Sequence, residues 1–461
     1  MKRRVVPLAG VLFIAATALA PASAVAIEPP LVPPGGPPVG PVAPPEPTEQ
    51  KVACGIGAVV PGSRFEQRPS SDVMLNFSAA WRFSRGAGQK VAVIDTGVAP
   101  NPRLRALEPG GDYVSSTDGL VDCDAHGTLV AGLIAAAPSP DDGFAGVAPE
   151  ATILSIRQNS DLYSVKGSGS AQNDPNAVSP GYGNTHTLAL AIAHAVDVGA
   201  TVINLSEAAC APVGAALDDA AVGQAVRYAF ERNVVVVAAA GNLSAQGLCS
   251  AQNEARDPNL PLADAWRSVR TITSPAWFRD YVLTVGAVAP DGKPSDFSLH
   301  GPWVSLAAPG EQLTSLNPNG SGLMNAWQDP QHGLVAVNGT SFAAPFVSGL
   351  VALVRARFPE MSAGQVMERI KRTAQTPGAG PNAATGFGVI DPVAALTYDV
   401  PPGTGRAPFA ARPISRPPAP QPANRRGRNV ALIVVAACVT LAGITMALNR
   451  VLGKGATESQ Q

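Results

Sequence analysis

Apolar and polar positions alternate along this chain in two registers. Short, nearly continuous apolar runs occur at Lys90–Asp95 (KVAVID), Thr152–Ile156, Thr201–Leu205 (TVINL), Val234–Ala240 (VVVVAAA) and Tyr281–Val288. They have strand length and too few polar residues for a strand with one wet face. Between them lie longer segments with helical spacing. His126–Ala137 stops at Pro138, and Thr187–Val198 carries Leu188, Ile192, Ala195 and Val196 on one face. Ala220–Arg232 and Ser341–Arg357 follow, then Ser362–Ala374, which Ser362 and Gln365 open as a capping box. Buried strands alternating with helices predict an α/β fold, a mainly parallel sheet with helices on both faces. Functional groups in such sheets gather at the carboxyl ends of the strands.

The ends of the chain read differently. Met1-Lys2-Arg3-Arg4, an apolar run to Ala20 and the small-residue sequence Ala22-Ser23-Ala24 have the form of a cleaved export signal over residues 1–24, with Ala26 as an alternative cleavage point. Residues 430–448 form a run of 19 residues without a charge, long enough to predict one transmembrane helix. An export signal and a C-terminal span place the bulk of the chain on the extracytoplasmic side of the cell membrane, with 449–461 as a cytoplasmic tail. Arg425, Arg426 and Arg428 on the outer side, against Arg450 and Lys454 on the inner, weigh mildly the other way. A long exported domain overrides that bias.

Composition sharpens the division. Ten prolines fall within residues 28–47, so 25–84 reads as a Pro-rich N-terminal extension and cannot begin as helix or sheet interior. A second Pro-rich tract makes 400–429 a linker, leaving 85–399 as one large domain. With 33 Lys+Arg against 34 Asp+Glu the net charge is −1, which excludes a nucleic-acid binder that works through a basic surface. Of five cysteines, Cys438 lies in the span. Cys54, Cys123, Cys210 and Cys249 fall in the exported part without C-x-x-C spacing, which predicts two disulfides in one of three connectivities and no zinc site. No EF-hand-like ligand run occurs; no metal site or cofactor is assigned, and the sequence leaves calcium binding open.

The chemistry sits at strand ends and helix starts. Asp95 closes its strand in VIDTG, and His126 opens a helix in DAHGT. Asn242 follows the VVVVAAA strand in AAGN, and Ser341 opens a helix in GTSFAAP. An acid, an imidazole, a side-chain amide and a hydroxyl can therefore meet at one sheet edge. Serine is a weak nucleophile until a base takes its proton. Imidazole can do so near neutral pH, a carboxylate holds the required tautomer, and amide donors stabilise the oxyanion. His186, His194, His300 and His332 have no comparable setting and read as surface or satisfied core residues.

In that order, Asp, His, Asn, Ser, these motifs resemble the subtilisin (S8) family of serine endopeptidases over about residues 85–395. The resemblance implies peptide-bond hydrolysis, with catalytic Asp95, His126 and Ser341 and an oxyanion hole of Asn242 and Ser341. Leu129 and Phe346 stand where many members carry histidines, which touches packing only. The segment after the TVINL strand departs further. Ser206-Glu207-Ala208 replaces a serine–leucine–glycine run at the substrate-binding strand, implying a reshaped cleft and selective cleavage. Cys210 and Cys249 follow strands that emerge at the same edge, so they are paired, leaving Cys54 with Cys123. The extension looks too short and proline-rich for a folded inhibitory pro-domain and is expected to stay attached, wrapping the body. Two long polar loops, about 157–186 and 243–276, flank the cleft.

The whole arrangement, from signal peptide to C-terminal span, is similar to the mycosins, the membrane-anchored subtilisin-like proteases of mycobacterial type VII secretion. That likeness implies secreted protein substrates, association with the type VII secretion membrane complex, and a site at the cytoplasmic membrane. A mainly structural role in that complex, with activity secondary, is the alternative.

Overall fold

The computed structural model describes residues 27–169, 174–244, 248–254, 262–320, 322–329, 333–401 and 426–455. Residues 1–24, His332 and most of the 400–429 linker lie outside these. Residues up to Pro408 make one compact unit and those from Phe409 a second.

In the first unit the strands are β1 Thr48–Gln50, β2 Gly57–Ala58, β3 Lys90–Asp95, β4 Leu107–Asp112, β5 Thr152–Arg157, β6 Tyr163–Val165, β7 Val202–Leu205, β8 Ala209–Pro212, β9 Val235–Ala239, β10 Thr271–Ser274, β11 Val282–Val288 and β12 Val304–Pro309, followed by the short β13 Ser315–Leu316, β14 Leu323–Met324, β15 Ala326–Asp329 and β16 Gly333–Ala336. The helices are α1 Ser70–Leu75, α2 His126–Ala135, α3 Thr185–Asp197, α4 Ala220–Glu231, α5 Thr340–Arg357, α6 Ala363–Thr373 and α7 Pro392–Thr397. Seven strands form a parallel sheet in the order β12-β11-β9-β7-β3-β5-β4.

The two-residue period of the strands decides which face each side chain meets. Val91 and Val93 of β3, Val202 of β7 and Val235, Val237 and Ala239 of β9 enter a core shared with α2, α5 and α6. Their neighbours Ala92, Ile94, Ile203, Val236 and Ala238 enter a second core shared with α3 and α4. Asp95 falls in step with Val91 and Val93. It therefore points to the face covered by α2 and α5, the helices whose first turns hold His126 and Ser341.

All five predicted helices shift by one or two residues at one end or both, and the two two-residue shifts have local causes. α3 begins at Thr185 rather than Thr187, because Thr187 is the third residue of a capping box. Asn184 Oδ1 accepts from Thr187 N at 3.0 Å, and Thr187 Oγ1 accepts from Asn184 N at 3.2 Å. α2 ends at Ala135, two residues early, since Pro138 biases the residue before it toward extended backbone.

The expected loops are not pure loops. The 157–186 segment contains β6, which pairs antiparallel with β1 of the N-terminal extension, Thr48 opposite Val165. The 243–276 segment contains β10, paired antiparallel with β8. The extension lies along the body for much of its length. Arg227 Nη1 donates to Pro33 O and Gln224 Nε2 to Pro34 O, each at 3.2 Å, and Val32 packs against the α3–α4 core. β2 pairs with Ala326–Asp329. Cys54 is disulfide-bonded to Cys123 and Cys210 to Cys249, with Cα separations of 4.6 and 5.4 Å.

In the second unit, α8 spans Arg426–Gly455. Its segment Asn429–Leu448 is long and apolar enough to cross a bilayer.

Candidate active site

Asp95 is fully buried. Its Oδ1 accepts from Thr96 N at 2.8 Å and from His126 Nδ1 at 2.7 Å. A proton on Nδ1 leaves Nε2 as the nitrogen free to take a proton. Thr96, the middle residue of the Asp-Thr-Gly turn, ties the two elements together. Its Oγ1 donates to Asp122 at 2.8 Å and accepts from Gly127 N at 2.9 Å. Asp122 in turn accepts from Thr128 N at 2.8 Å and Thr128 Oγ1 at 2.6 Å. The start of α2 is thereby bolted to the end of β3. Ala125, just before His126, is held at φ 67°, a left-handed conformation that costs a non-glycine residue about 1–2 kcal/mol. Such strain persists only where the surroundings over-determine it.

The ring of His126 packs against Phe342, with centroids 4.8 Å apart. Phe342 follows Ser341, so the nucleophile candidate and the imidazole are brought together by adjacent residues of α5. Ser341 lies in the first turn of α5, whose N-cap is Gly339. Its backbone N–H belongs to the first turn, where amides have no intrahelical partner and face the positive end of the helix dipole. Asn242 is placed by Gly241, which turns the chain at φ 102° directly after Ala240, the residue that follows β9. Asn242 Oδ1 accepts from Thr340 N at 2.9 Å and Thr340 Oγ1 at 3.0 Å, so the amide presents Nδ2 to the cleft.

Gly339 marks where these groups converge. A Cβ added there would fall 2.8 Å from Ser341 Oγ and 3.6 Å from Asn242 Nδ2. A hydroxyl and a side-chain amide donor therefore share one small region, and the imidazole packs on Phe342, the residue after the hydroxyl. That arrangement can deprotonate a hydroxyl and hold a negatively charged oxygen, the requirements of acyl transfer.

Of the residues after β7, Ser206 is buried while Glu207 and Ala208 are half-buried. Ser206 Oγ accepts from Asn204 Nδ2 at 2.9 Å, which fixes the strand's exit. Glu207 Oε1 lies 3.8 Å from His126 Nε2. The ring thus has a carboxylate on each nitrogen. Burial disfavours its charged form, yet Asp95, then Glu207 and Asp122, outweigh that and push its pKa up to about 10.

Asp122, Asp124, Asp161 and Thr340 were not legible as site residues from sequence. Asp122 and Asp124 stand within four residues of His126, which was the available signal. The other described histidines lie elsewhere: His186 is exposed, His194 Nε2 lies 3.0 Å from Gly110 O, and burial lowers the pKa of His300.

The subtilase family model (Peptidase S8) matches residues 86–388. Mycosin-1 of Mycobacterium tuberculosis is 46% identical over 432 residues, covering 93% of this chain and 95% of that protein. The crystal structure of MycP1 from Mycobacterium smegmatis superposes with a TM-score of 0.76 at 45% identity, over 84% of this chain and 99% of that one. A chain from the structure of an intact ESX-5 inner membrane complex superposes with a TM-score of 0.75 at 43% identity, over 91% of this chain and 99% of that one.

Proposed function

The chain belongs to the subtilase family of serine endopeptidases and to its mycosin branch, and from that premise we propose a peptidase in which Ser341 attacks the scissile carbonyl. His126 is the general base through Nε2, Asp95 holds its tautomer, and Asn242 Nδ2 with the Ser341 N–H receives the oxyanion. The observation that carries this reading is the 2.7 Å contact between Asp95 Oδ1 and His126 Nδ1, on the sheet face from which α5 presents Ser341. Ser206–Ala208 forms the wall along which the substrate peptide lies. The experiment is labelling of the full chain in detergent with a fluorophosphonate probe, beside Ser341→Ala. Labelling of the parent chain alone supports the assignment. Absence of labelling in a folded, oxidised sample overturns it.

Asn429–Leu448 anchors the chain in the membrane as a single pass. We place the catalytic body, residues 85–399, on the extracytoplasmic side of the cytoplasmic membrane, behind a removed signal over 1–24. The extension 25–84 stays attached: its strand β1 is paired with β6 and Cys54 is bonded to Cys123, contacts a transient pro-segment would have to break. The partner is the inner-membrane complex of a type VII secretion system, by analogy with the relative found in such a complex, and the substrates are proteins exported by it.

That same relative favours a second reading, in which the chain serves mainly as a structural subunit. Complementation of a deletion strain with Ser341→Ala separates the two. Retained secretion and complex stability would favour the structural role, and their loss the peptidase.

A further inference from the structure

Glu207 does more than narrow the cleft. Its carboxylate faces His126 Nε2 at 3.8 Å, while Asp95 holds Nδ1 at 2.7 Å. The two acids are differently built. Asp95 is fully buried and fixed by backbone and ring donors, whereas the Glu207 side chain is 30% exposed. Among the described residues, His126 is the one ion-pair partner of Glu207. Ser206 and Ala208 on either side are small, so the acid is the one long side chain on that stretch of the wall.

Nε2 is the nitrogen that must take the serine proton. A peptide lying along Ser206–Ala208 therefore has to draw the Glu207 carboxylate away from it. The surroundings decide how readily that happens. The charges of Asp161, Asp95 and Asp124 all bear on Glu207. Asp124 Oδ2 accepts from Ser160 Oγ at 2.6 Å and its Oδ1 from Asp161 N at 2.7 Å, and Asp161 Oδ1 accepts from Ser179 Oγ at 2.6 Å. Asp124 and Asp161 are held by neutral donors, so among the described residues neither brings a cation for Glu207 to move to. A neutral substrate leaves Glu207 without a counter-charge among other carboxylates, and an acidic one adds repulsion. A lysine or arginine side chain replaces the imidazolium and releases the base. Burial, with those acids, raises the pKa of Glu207 although His126 opposes the rise, and His126 is itself raised. Both groups retain protons above their ordinary pH, the sign of a site short of positive charge.

We propose that Glu207 is a specificity-determining residue of the peptidase: it pairs with His126 Nε2 until a lysine or arginine of the substrate draws it off, so that cationic peptides are selected. This rests on the assignment of His126 and Ser341 above.

The test uses peptidyl diphenyl phosphonates, which modify the active serine irreversibly and need no turnover. Four pairs of tetrapeptide probes place lysine or norleucine at each successive position up to the phosphonate. They are applied to the full chain, Glu207→Gln and Glu207→Asp, with thermal melting to verify that the variants fold. The expected result is one position at which lysine reacts at least about tenfold faster than norleucine in the parent chain. Glu207→Gln brings that ratio near one, and Glu207→Asp, with the charge but a shorter reach, keeps part of it. The proposal is overturned if no position shows the preference, whether the probes react alike or not at all, or if Glu207→Gln retains it. A failure of fluorophosphonate labelling would instead remove the assignment of Ser341, which separates the two outcomes.

Discussion

Thr340 holds Asn242 by the oxygen end of its amide: its backbone N–H donates to Asn242 Oδ1 at 2.9 Å and its hydroxyl to the same atom at 3.0 Å. The residue before Ser341 thus decides which way the amide of Asn242, the oxyanion donor proposed above, points. Both Thr340 and the strand that delivers Asn242 are buried, so the orientation is set before any substrate arrives. Preorganised donors of this kind cost no reorganisation during reaction.

Removing the donor should therefore act on the chemical step. Asn242→Ala is expected to lower kcat by about 10²–10³-fold with little change in KM, the usual loss for one side-chain donor to an oxyanion. Thr340→Val, which keeps the shape but removes the hydroxyl bonds to Asn242 and to Gly241 N, should produce a smaller loss of the same kind. Steady-state kinetics on one peptide substrate check both. A rise in KM alone would place Asn242 outside the oxyanion site.

Asp95→Asn leaves the side-chain volume unchanged but offers His126 Nδ1 a donor where it needs an acceptor. The imidazole then adopts the wrong tautomer, and the rate of reaction should fall by about 10⁴-fold. Fluorophosphonate labelling rates, with the melting temperature as a control for folding, give the readout.

Gly339→Ala places a methyl group 2.8 Å from Ser341 Oγ, and its φ of 154° already favours glycine. Labelling at Ser341 should be abolished. Normal labelling would mean that Gly339 does not lie against the reacting hydroxyl.

Rate and stability should move oppositely with pH. The pKa of His126 is pushed up to about 10, because the attraction of Asp95, Glu207 and Asp122 overcomes burial. The acids bearing on this pair come from β3 (Asp95), the turn before α2 (Asp122, Asp124), the β5–β6 connection (Asp161) and the exit of β7 (Glu207). A base must be neutral to act, so labelling should accelerate with pH through the alkaline range. For stability, a pKa raised in the folded state contributes fully below the unfolded value of 6.5 and is lost as pH climbs through about 10. Melting temperature should therefore fall over the window in which labelling rises. Glu207→Gln removes one of the attractions and should move the labelling midpoint down. A rate that is flat between about pH 6 and pH 9 would contradict the shifted base.

The Cys54–Cys123 bond closes a segment of sequence separation 69 and holds the extension three residues before His126. On the chain-entropy model, replacing both cysteines by serine should cost about 4 kcal/mol. Urea melts check the stability. Limited proteolysis checks the corollary, faster cleavage within residues 25–84.

What the sequence determined by itself was whatever is local. Asp95 at a strand end, His126 and Ser341 at helix starts and Asn242 after a strand are each encoded in a few consecutive residues, and the parallel α/β order follows from apolar run length. The two-residue period even dictates that Asp95 shares a face with Val91 and Val93. The capping box of α6 was legible for the same reason: Ser362 Oγ and Gln365 N are three residues apart in sequence and bond at 3.3 Å.

Tertiary structure alone decided the rest. β1 and β6 are three residues each, too short for a period to register, and each becomes a strand only by pairing with the other across 117 residues. Glu207 was visible as a departure from a family pattern, but nothing near it in sequence says that its carboxylate meets His126. That contact exists because β7 lies beside β3, which places the exit of one strand next to the helix that follows the other. The electrostatics of the site belong to the same class. Four acids drawn from three separate segments act on one imidazole and its partner Glu207, and only the fold brings them within range.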